Sequence, residues 1–154
     1  MKWVTREKAR VDRIACPWMI RKFIDPGAEF LYVAAEKVAE VAAEQGATTY
    51  DAPGASLNHY EEAGKEYVTF DAIIRKYGLN DPALLELAKI VRVADGGSGS
   101  EPEAAGLEAA ATGFRILARD DWENQSLQFP LYDALYAYCK WKVEQGGKLE
   151  HTGT

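Results

Sequence analysis

The chain has 154 residues, of which 47% are hydrophobic and 27% are charged, and its formal net charge is -6. This size and balance fit one globular domain and exclude disorder throughout the chain. The acidic charge disfavours nucleic-acid binding, and no apolar run approaches the roughly 20 residues of a membrane helix. The N-terminus lacks the apolar segment of a signal peptide, and two cysteines, Cys16 and Cys139, fit a reducing compartment. We therefore expect a cytoplasmic protein with no membrane partner.

The first third of the chain predicts strands and helices in alternation. Short β-prone runs predict strands at 2–5, 29–34 and 47–52. One helix is predicted within the opening stretch, ending near 25–27, and a second at 34–46. This alternation indicates a small parallel α/β unit.

The rest of the chain is predicted to be mostly helical. The polar residues 53–67 predict a loop, and 96–102 predict a flexible break. Four helices are expected, with starts at Thr69 as N-cap, at Asn80 or Asp81 before Pro82, near Glu103 and near Phe129. The fold class is α/β or α+β, with a small mostly parallel sheet and a helical C-terminal half. We expect one domain over 1–147 and a loose tail or cloning remnant over 148–154.

The opening stretch, residues 5–26, combines residues typical of a core with four arginines: Arg6, Arg10, Arg13 and Arg21. On a continuous helix, the last three fall within an arc of about 80°. Clustered guanidinium groups bind oxyanions well, so these four residues predict an anion-binding site. The alternative is an internal network of ion pairs with Asp12.

Pro17 leaves two geometries open for this stretch. A proline inside a helix breaks or kinks it, so the helix either bends there or begins near Cys16. A helix start would place the Cys16 thiol where a thiolate is favoured, which makes Cys16 a weak catalytic candidate. The alternative is that Cys16 is a small buried hydrophobic residue.

His59 is one of two histidines and lies in a polar loop near Asp51, Glu61 and Glu62. An imidazole with two or three carboxylates can hold Zn, Mn or Fe, although no spacing here matches a metal motif. The predicted ligands are His59, Asp95, Glu103 and Asp121. The alternatives are a solvated histidine and helix capping by Asp120 and Asp121. No nucleotide cofactor is implied.

Several runs together resemble the ChrB-type chromate resistance domain, in order from about Trp3 to Tyr138. They are "WVTREKARVDRIACPWMIRKFIDPGAEFLYV", His59 in its loop, "TFDAIIRKYGL", "DPALLELAKIVRVAD", "PEAAGL", the Asp120–Asp121 pair and "YDALYAYC". The resemblance implies a role beside chromate efflux systems, as a sensor or regulator of resistance. Longer regulators of this kind carry a further N-terminal region thought to bind DNA. The present chain starts at the domain, so we expect no DNA binding.

Two functional hypotheses follow. In the first, the domain is a binding module whose arginines hold an oxyanion or a small anionic metabolite. In the second, it is a small metal-dependent enzyme, in which His59 and the carboxylates hold the ion and the arginines orient an anionic substrate. We predict that both sets of residues form one pocket, with His59 and Arg13 facing the same cavity. A homo-oligomer is compatible with the sequence.

Overall fold

A three-stranded parallel sheet organises the N-terminal part of the chain in the computed structural model, which describes residues 1–146. The strand order is β2–β1–β3, formed by β1 (Lys2–Arg6), β2 (Glu29–Val33) and β3 (Thr48–Thr49). Val4 of the central strand lies opposite Leu31 on one side and Thr49 on the other. Because the strands are parallel, their carboxyl ends share one edge of the sheet, where Arg6 and the residues after Thr49 lie.

The first helix, α1 (Asp12–Met19), contains Pro17 and continues directly into a π-helix at Ile20–Ile24. The alternative in which the helix begins near Cys16 is therefore wrong. Pro17 has no backbone N–H, which leaves the carbonyl of Arg13 without its helical partner. Tyr32 Oη donates to that carbonyl oxygen at 2.9 Å. This outside donor explains how the helix accommodates an interior proline.

The remaining elements are a helix below the sheet, a hairpin and four further helices. Helix α2 (Val38–Gln45) follows a 3₁₀ turn at Ala35–Lys37. The residues predicted as a loop contain an antiparallel hairpin, β4 (Tyr60–Glu62) and β5 (Lys65–Tyr67), so that part of the prediction is wrong. The last four helices are α3 (Thr69–Tyr77), α4 (Pro82–Ala94), α5 (Glu103–Leu117) and α6 (Asp121–Gln145).

Side chains cap the starts of α4 and α6, and the cap position of α3 lies one residue before the predicted one. Asp81 caps α4 by accepting from Leu84 N at 2.9 Å, as predicted. Asp120 caps α6 by accepting from Glu123 N at 2.8 Å, so this helix begins well before Phe129. Thr69 is the first residue of α3 rather than its cap, since the cap position is Val68.

Helices cover both faces of the sheet, which confirms the predicted α/β architecture with a helical C-terminal half. Trp3, Phe30 and Tyr50 belong to the main core, which includes the buried faces of α1, α3, α4 and α6. Val4 points the other way and packs with Val38 of α2. Within residues 1–146, no helix is long and apolar enough to cross a membrane. The predicted tail at 148–154 lies outside the described residues.

Candidate functional site

Four side chains converge at the carboxyl edge of the sheet, and we call them the sheet-edge cluster: Asp12, Asp51, His59 and Asp95. His59 Nε2 lies 3.3 Å from one carboxylate oxygen of each of the three aspartates. One donor atom from each residue lies within 4.8 Å of the others. Atoms of these types at this spacing are able to surround a single metal ion.

Asp12 is the most rigidly held member of the cluster. It opens α1, is 1% exposed, and reaches across to the N-terminus of α3. Its carboxylate accepts from Thr69 N at 2.9 Å, from Phe70 N at 3.1 Å and from Cys16 Sγ at 3.4 Å. Burial raises the pKa of Asp12 to about 7, although the hydrogen bond from His59 opposes that shift. The carboxylate is thus fixed in place before any ligand binds.

Asp51 follows β3 and has a left-handed backbone, with φ of 44°. Its carbonyl accepts from Thr5 Oγ1 and from Arg6 Nε, both at 3.1 Å, and its N–H donates to Leu57 O at 2.9 Å. Burial alone would raise the pKa of Asp51, but the His59 hydrogen bond and the nearby guanidinium groups lower it. Asp is one of the few residue types enriched in this backbone region.

His59 comes from the segment that enters β4, and its side chain is 43% exposed. Hydrogen bonds to Asp12, Asp51 and Asp95, in that order of effect, raise the pKa of the imidazole to about 12. The ring therefore carries a proton at neutral pH and acts as the cation among three carboxylates. A metal ion that used Nε2 would displace this proton.

Asp95 directly follows α4, and two tertiary contacts position it. Arg92, one turn earlier, donates to both carboxylate oxygens of Asp71 at 2.8 and 3.0 Å, which ties the end of α4 to the start of α3. After Asp95, Ser98 N donates to Glu66 O at 2.9 Å, so the loop pairs with the hairpin. Gly97 allows this approach, since a Cβ there would lie 2.9 Å from Glu66 O.

The cluster forms one side of a cavity of about 260 Å³ that is also lined by four arginines: Arg6, Arg10, Arg13 and Arg115. Arg13 Nη1 lies 3.9 Å from Asp51 Oδ2, and Arg6 Nη2 lies 3.7 Å from Asp51 Oδ1. Burial lowers the pKa of Arg13 although Asp51 raises it. The structure thus places Arg13 and His59 on the same cavity.

The structure does not bring every predicted site residue to this cavity. Arg21 donates to Ala28 O at 3.1 Å, and its guanidinium carbon lies 5.0 Å from the ring centre of Phe30. Glu103, the first residue of α5, accepts from Tyr138 Oη at 2.7 Å. Both side chains therefore have partners away from the cluster.

Asp121 and Cys16 also have local roles. Asp121 accepts from Lys8 N at 2.8 Å and from Ala9 N at 2.7 Å, and so binds backbone rather than the cluster. Cys16 is fully buried, and burial followed by the charge of Asp12 raises the pKa of its thiol well above the usual value. A nucleophilic thiolate is not favoured in that environment.

Sequence reasoning did not select Asp12, Asp51 or Arg115 for the site. Asp51 was detectable, because it lies at the end of the predicted strand 47–52, at the edge where parallel strands end. Asp12 was interpreted only as a possible ion-pair partner of the neighbouring arginines. Its backbone partners lie more than fifty residues away in the chain, so the sequence could not reveal them. Arg115 reaches the cavity only through the packing of α5, which leaves no local sequence signal.

The class of protein that this fold and site define is a small α/β domain with a carboxylate–imidazole cluster beside an arginine-lined cavity. The family described as "ChrB, C-terminal domain" matches residues 3–139. Protein ChrB of Cupriavidus metallidurans is 35% identical over 139 residues, which cover 89% of this chain and 40% of that protein. The chain therefore belongs to the ChrB C-terminal domain family. It spans less than half of the length of this relative, and no solved structure matches it.

Proposed function

We propose that this domain binds a divalent metal ion through the sheet-edge cluster and holds an oxyanion such as chromate beside that ion, as part of chromate resistance. One observation carries the proposal. His59 Nε2 lies 3.3 Å from three carboxylate oxygens on a cavity that is also lined by arginines. The choice of chromate rests on the family, and the proposal of a metal site and an anion site rests on the geometry.

The metal half of the proposal rests on the concentration of negative charge. Three carboxylates within reach of one point repel one another unless a cation lies between them. The protonated imidazole supplies one positive charge, whereas a divalent ion would supply two and would accept all four ligands. Three oxygen donors and one imidazole suit Mn²⁺ or Fe²⁺ better than a thiolate-preferring ion, and Zn²⁺ is also compatible.

The anion half rests on what the ion does to the charge of the cavity. Without a metal, the aspartates repel an oxyanion that approaches Arg6 and Arg13. A divalent ion neutralises most of that negative charge, so the guanidinium groups dominate the field of the cavity. Metal and oxyanion should therefore strengthen each other's binding, and by linkage the effect is reciprocal.

The setting of the domain follows the same proposal. A small anion is the partner, no DNA contact is involved, and the net charge of -6 supports the latter point. Cys16 and Cys139 are free and buried, which supports the cytoplasm as the compartment.

A second candidate function is a metal-dependent reaction on an anionic substrate. The exposure of His59 supports it, because a structural metal site is usually closed and a catalytic one keeps an open position. The ion would polarise a substrate oxygen while the arginines oriented the anion. Turnover of a bound anion distinguishes this function from simple binding.

The test begins with the metal. Protein purified without chelator should contain about one equivalent of a divalent metal by elemental analysis, and His59→Ala should contain almost none. Glu61→Ala, in the same exposed segment, is the matched control and should keep the metal. A metal-free wild type that cannot be loaded with Mn²⁺, Fe²⁺ or Zn²⁺ would contradict the metal half of the proposal.

The second arm measures the anion by calorimetry with chromate, sulfate and phosphate. Metal-loaded wild type should bind chromate, and Arg13→Ala should weaken that binding at least tenfold. Arg21→Ala removes an arginine of the same stretch that lies away from the cavity, so it should change nothing. Absence of heat with every oxyanion, or equal losses in the two variants, would contradict the anion half.

A further inference from the structure

The segment between β1 and α1, residues 7–11, has no regular structure although it carries Arg10 and leads into Arg13. Backbone N–H and C=O groups outside helices and strands still require hydrogen-bond partners when water is excluded. Four buried side chains from one face of α6 supply them, and we call these the α6 stripe: Asp121, Asn124, Gln128 and Tyr132. Their spacing of three and four residues places them on one side of the helix.

The α6 stripe bonds nearly every position of this segment. Its carboxylate accepts from the N–H groups of residues 8 and 9 at 2.8 and 2.7 Å. The Asn124 amide donates to Ala9 O at 2.8 Å, and the Gln128 amide donates to Arg10 O at 3.2 Å. Tyr132 Oη donates to Val11 O at 3.3 Å. The path of the segment is therefore set by a helix that contributes nothing to the sheet-edge cluster.

Lys8 connects Asp121 to Arg13 of the cavity. Lys8 has a left-handed backbone, with φ of 65°, in a region that lysine rarely adopts. Its N–H donates to Asp121, and its carbonyl accepts from Arg13 Nη2 at 3.0 Å. The carboxylate of Asp121 thus stabilises the strained turn whose carbonyl orients the Arg13 guanidinium.

We propose that Asp121 is a positioning residue for the oxyanion subsite: it fixes the turn at Lys8 and thereby aims Arg13 into the cavity. This inference rests on the proposed function. The metal ligands should be nearly independent of Asp121, because Asp12 has its own anchors at Thr69 N and Phe70 N. The residue therefore controls anion affinity without touching either ligand.

The test compares Asp121→Asn with Asp120→Asn. An amide at 121 has one acceptor oxygen for two N–H groups, so the turn loosens with little change in size. The neighbouring control removes the charge of the α6 cap, whose carboxylate accepts from Glu123 N and not from residues 7–11. In metal-loaded protein, D121N should weaken chromate binding about tenfold, as is typical for outer-shell partners. Metal binding should fall by less than about threefold, because Asp12 has its own anchors. D120N should leave both affinities unchanged.

Three results would overturn the inference: unchanged chromate affinity in D121N, an equal loss in D120N, or a metal affinity that falls as far as the chromate affinity. If D121N fails to fold, Gln128→Leu serves instead, because it removes the donor to Arg10 O together with the donor to Asn124 Oδ1 and leaves Asp121 in place. We expect a loss of about threefold in chromate affinity for that variant, and no loss would overturn the role of the stripe.

A further measurement separates this inference from the proposed function. If wild type binds metal but no oxyanion, the function fails while the positioning of Arg13 is still measurable by NMR. The Arg13 Nε–Hε resonance should shift, and amide exchange at Lys8 and Ala9 should accelerate, in D121N but not in D120N. An unchanged Arg13 resonance in D121N would overturn the inference regardless of oxyanion binding.

Discussion

Two clusters of charged side chains in different parts of the fold differ in how their charges are paired. In the helix-end network, formed by Glu86, Glu103, Tyr138 and Lys142, Lys142 Nζ lies 3.3 and 3.4 Å from the two carboxylates. In the sheet-edge cluster, three carboxylates share one imidazole, and the closest guanidinium contacts are 3.7 and 3.9 Å. We call the helix-end network closed because lysines pair its carboxylates directly, with Lys89 Nζ also 3.2 Å from Glu86, and we call the sheet-edge cluster open because it lines a cavity.

The pKa shifts of Glu103 and Asp12 differ in direction, whereas that of Asp51 in the sheet-edge cluster is lowered like that of Glu103. Burial raises the pKa of Glu103, but hydrogen bonds from Tyr138 and Lys142 outweigh it, and the net shift is downward. At Asp12, burial dominates over the His59 hydrogen bond, and the pKa rises to about 7. A carboxylate whose charge is not fully compensated by its own protein favours an external cation. The arrangement of cations around the carboxylates, rather than the number of acidic residues, therefore distinguishes the candidate site.

The largest expected effect is on metal affinity when one carboxylate is substituted in each cluster. Asp12→Asn removes a charged ligand but can still accept from one α3 amide, and it should weaken Mn²⁺ binding more than a hundredfold. Glu103→Gln should leave the Mn²⁺ affinity within a factor of two. Competitive titration with a metal-sensitive dye measures both. Similar losses in the two variants would abolish the distinction between an open and a closed cluster.

The next effect is the pH dependence of metal affinity. His59, whose pKa is raised to about 12, and Asp12, whose pKa is about 7, must both be deprotonated to bind a cation. Both pKa values are raised, so protons compete more strongly with metal as pH falls. Mn²⁺ affinity should rise about tenfold per pH unit between pH 7 and 8 and more steeply below pH 7.

Titration of the metal affinity at pH 6, 7 and 8 measures this slope, and His59→Gln provides the control because it removes one of the two protons. The variant should bind weakly and with a shallower dependence on pH. A pH-independent metal affinity of the wild type would show that the imidazole is not a ligand. It would also contradict the view that the sheet-edge cluster differs from the helix-end network by binding a cation.

The smallest effect concerns the closed network. Lys142→Met keeps most of the apolar stem and removes the cation shared by Glu86 and Glu103. The side chain of Lys142 is partly solvated, so the free energy of unfolding should fall by only about 1 kcal/mol. Urea unfolding measures this change, and metal and chromate affinities should be unaltered. A loss of ligand affinity in this variant would indicate that the two clusters are coupled through α6.

The sequence was sufficient for the general architecture but not for the phase of the opening helix. Alternating strands and helices before Gly46 were readable from periodicity and turn residues, as were the caps at Asp81 and the stop at the end of α2. The arc of about 80° that grouped Arg10, Arg13 and Arg21 assumed one continuous α-helix. Instead, Arg10 precedes α1 and Arg21 lies in the π-helix, where the turn is wider, so Arg21 faces another way.

For the site, the sequence drew attention to His59 and Asp95 but could not separate them from Glu103. Asp95 and Glu103 both lie at helix ends in polar surroundings, and nothing local distinguishes them. The difference arises from tertiary contacts: the Arg92–Asp71 pair directs the end of α4 toward His59, while Tyr138 and Lys142 occupy Glu103. Contacts between segments distant in the chain have no signature in one sequence.

The left-handed backbone of Asp51 restricts which amino acids can evolve at that position. A φ of 44° is readily tolerated by Gly, Asn and Asp, and among these only Asp carries a negative charge. Glu, which would preserve the charge, is disfavoured by the backbone, and Asn, which would preserve the backbone, loses the charge. Backbone conformation and charge therefore both favour Asp at position 51. Replacement of this carboxylate by the longer one of Glu would require a different conformation of the loop after β3.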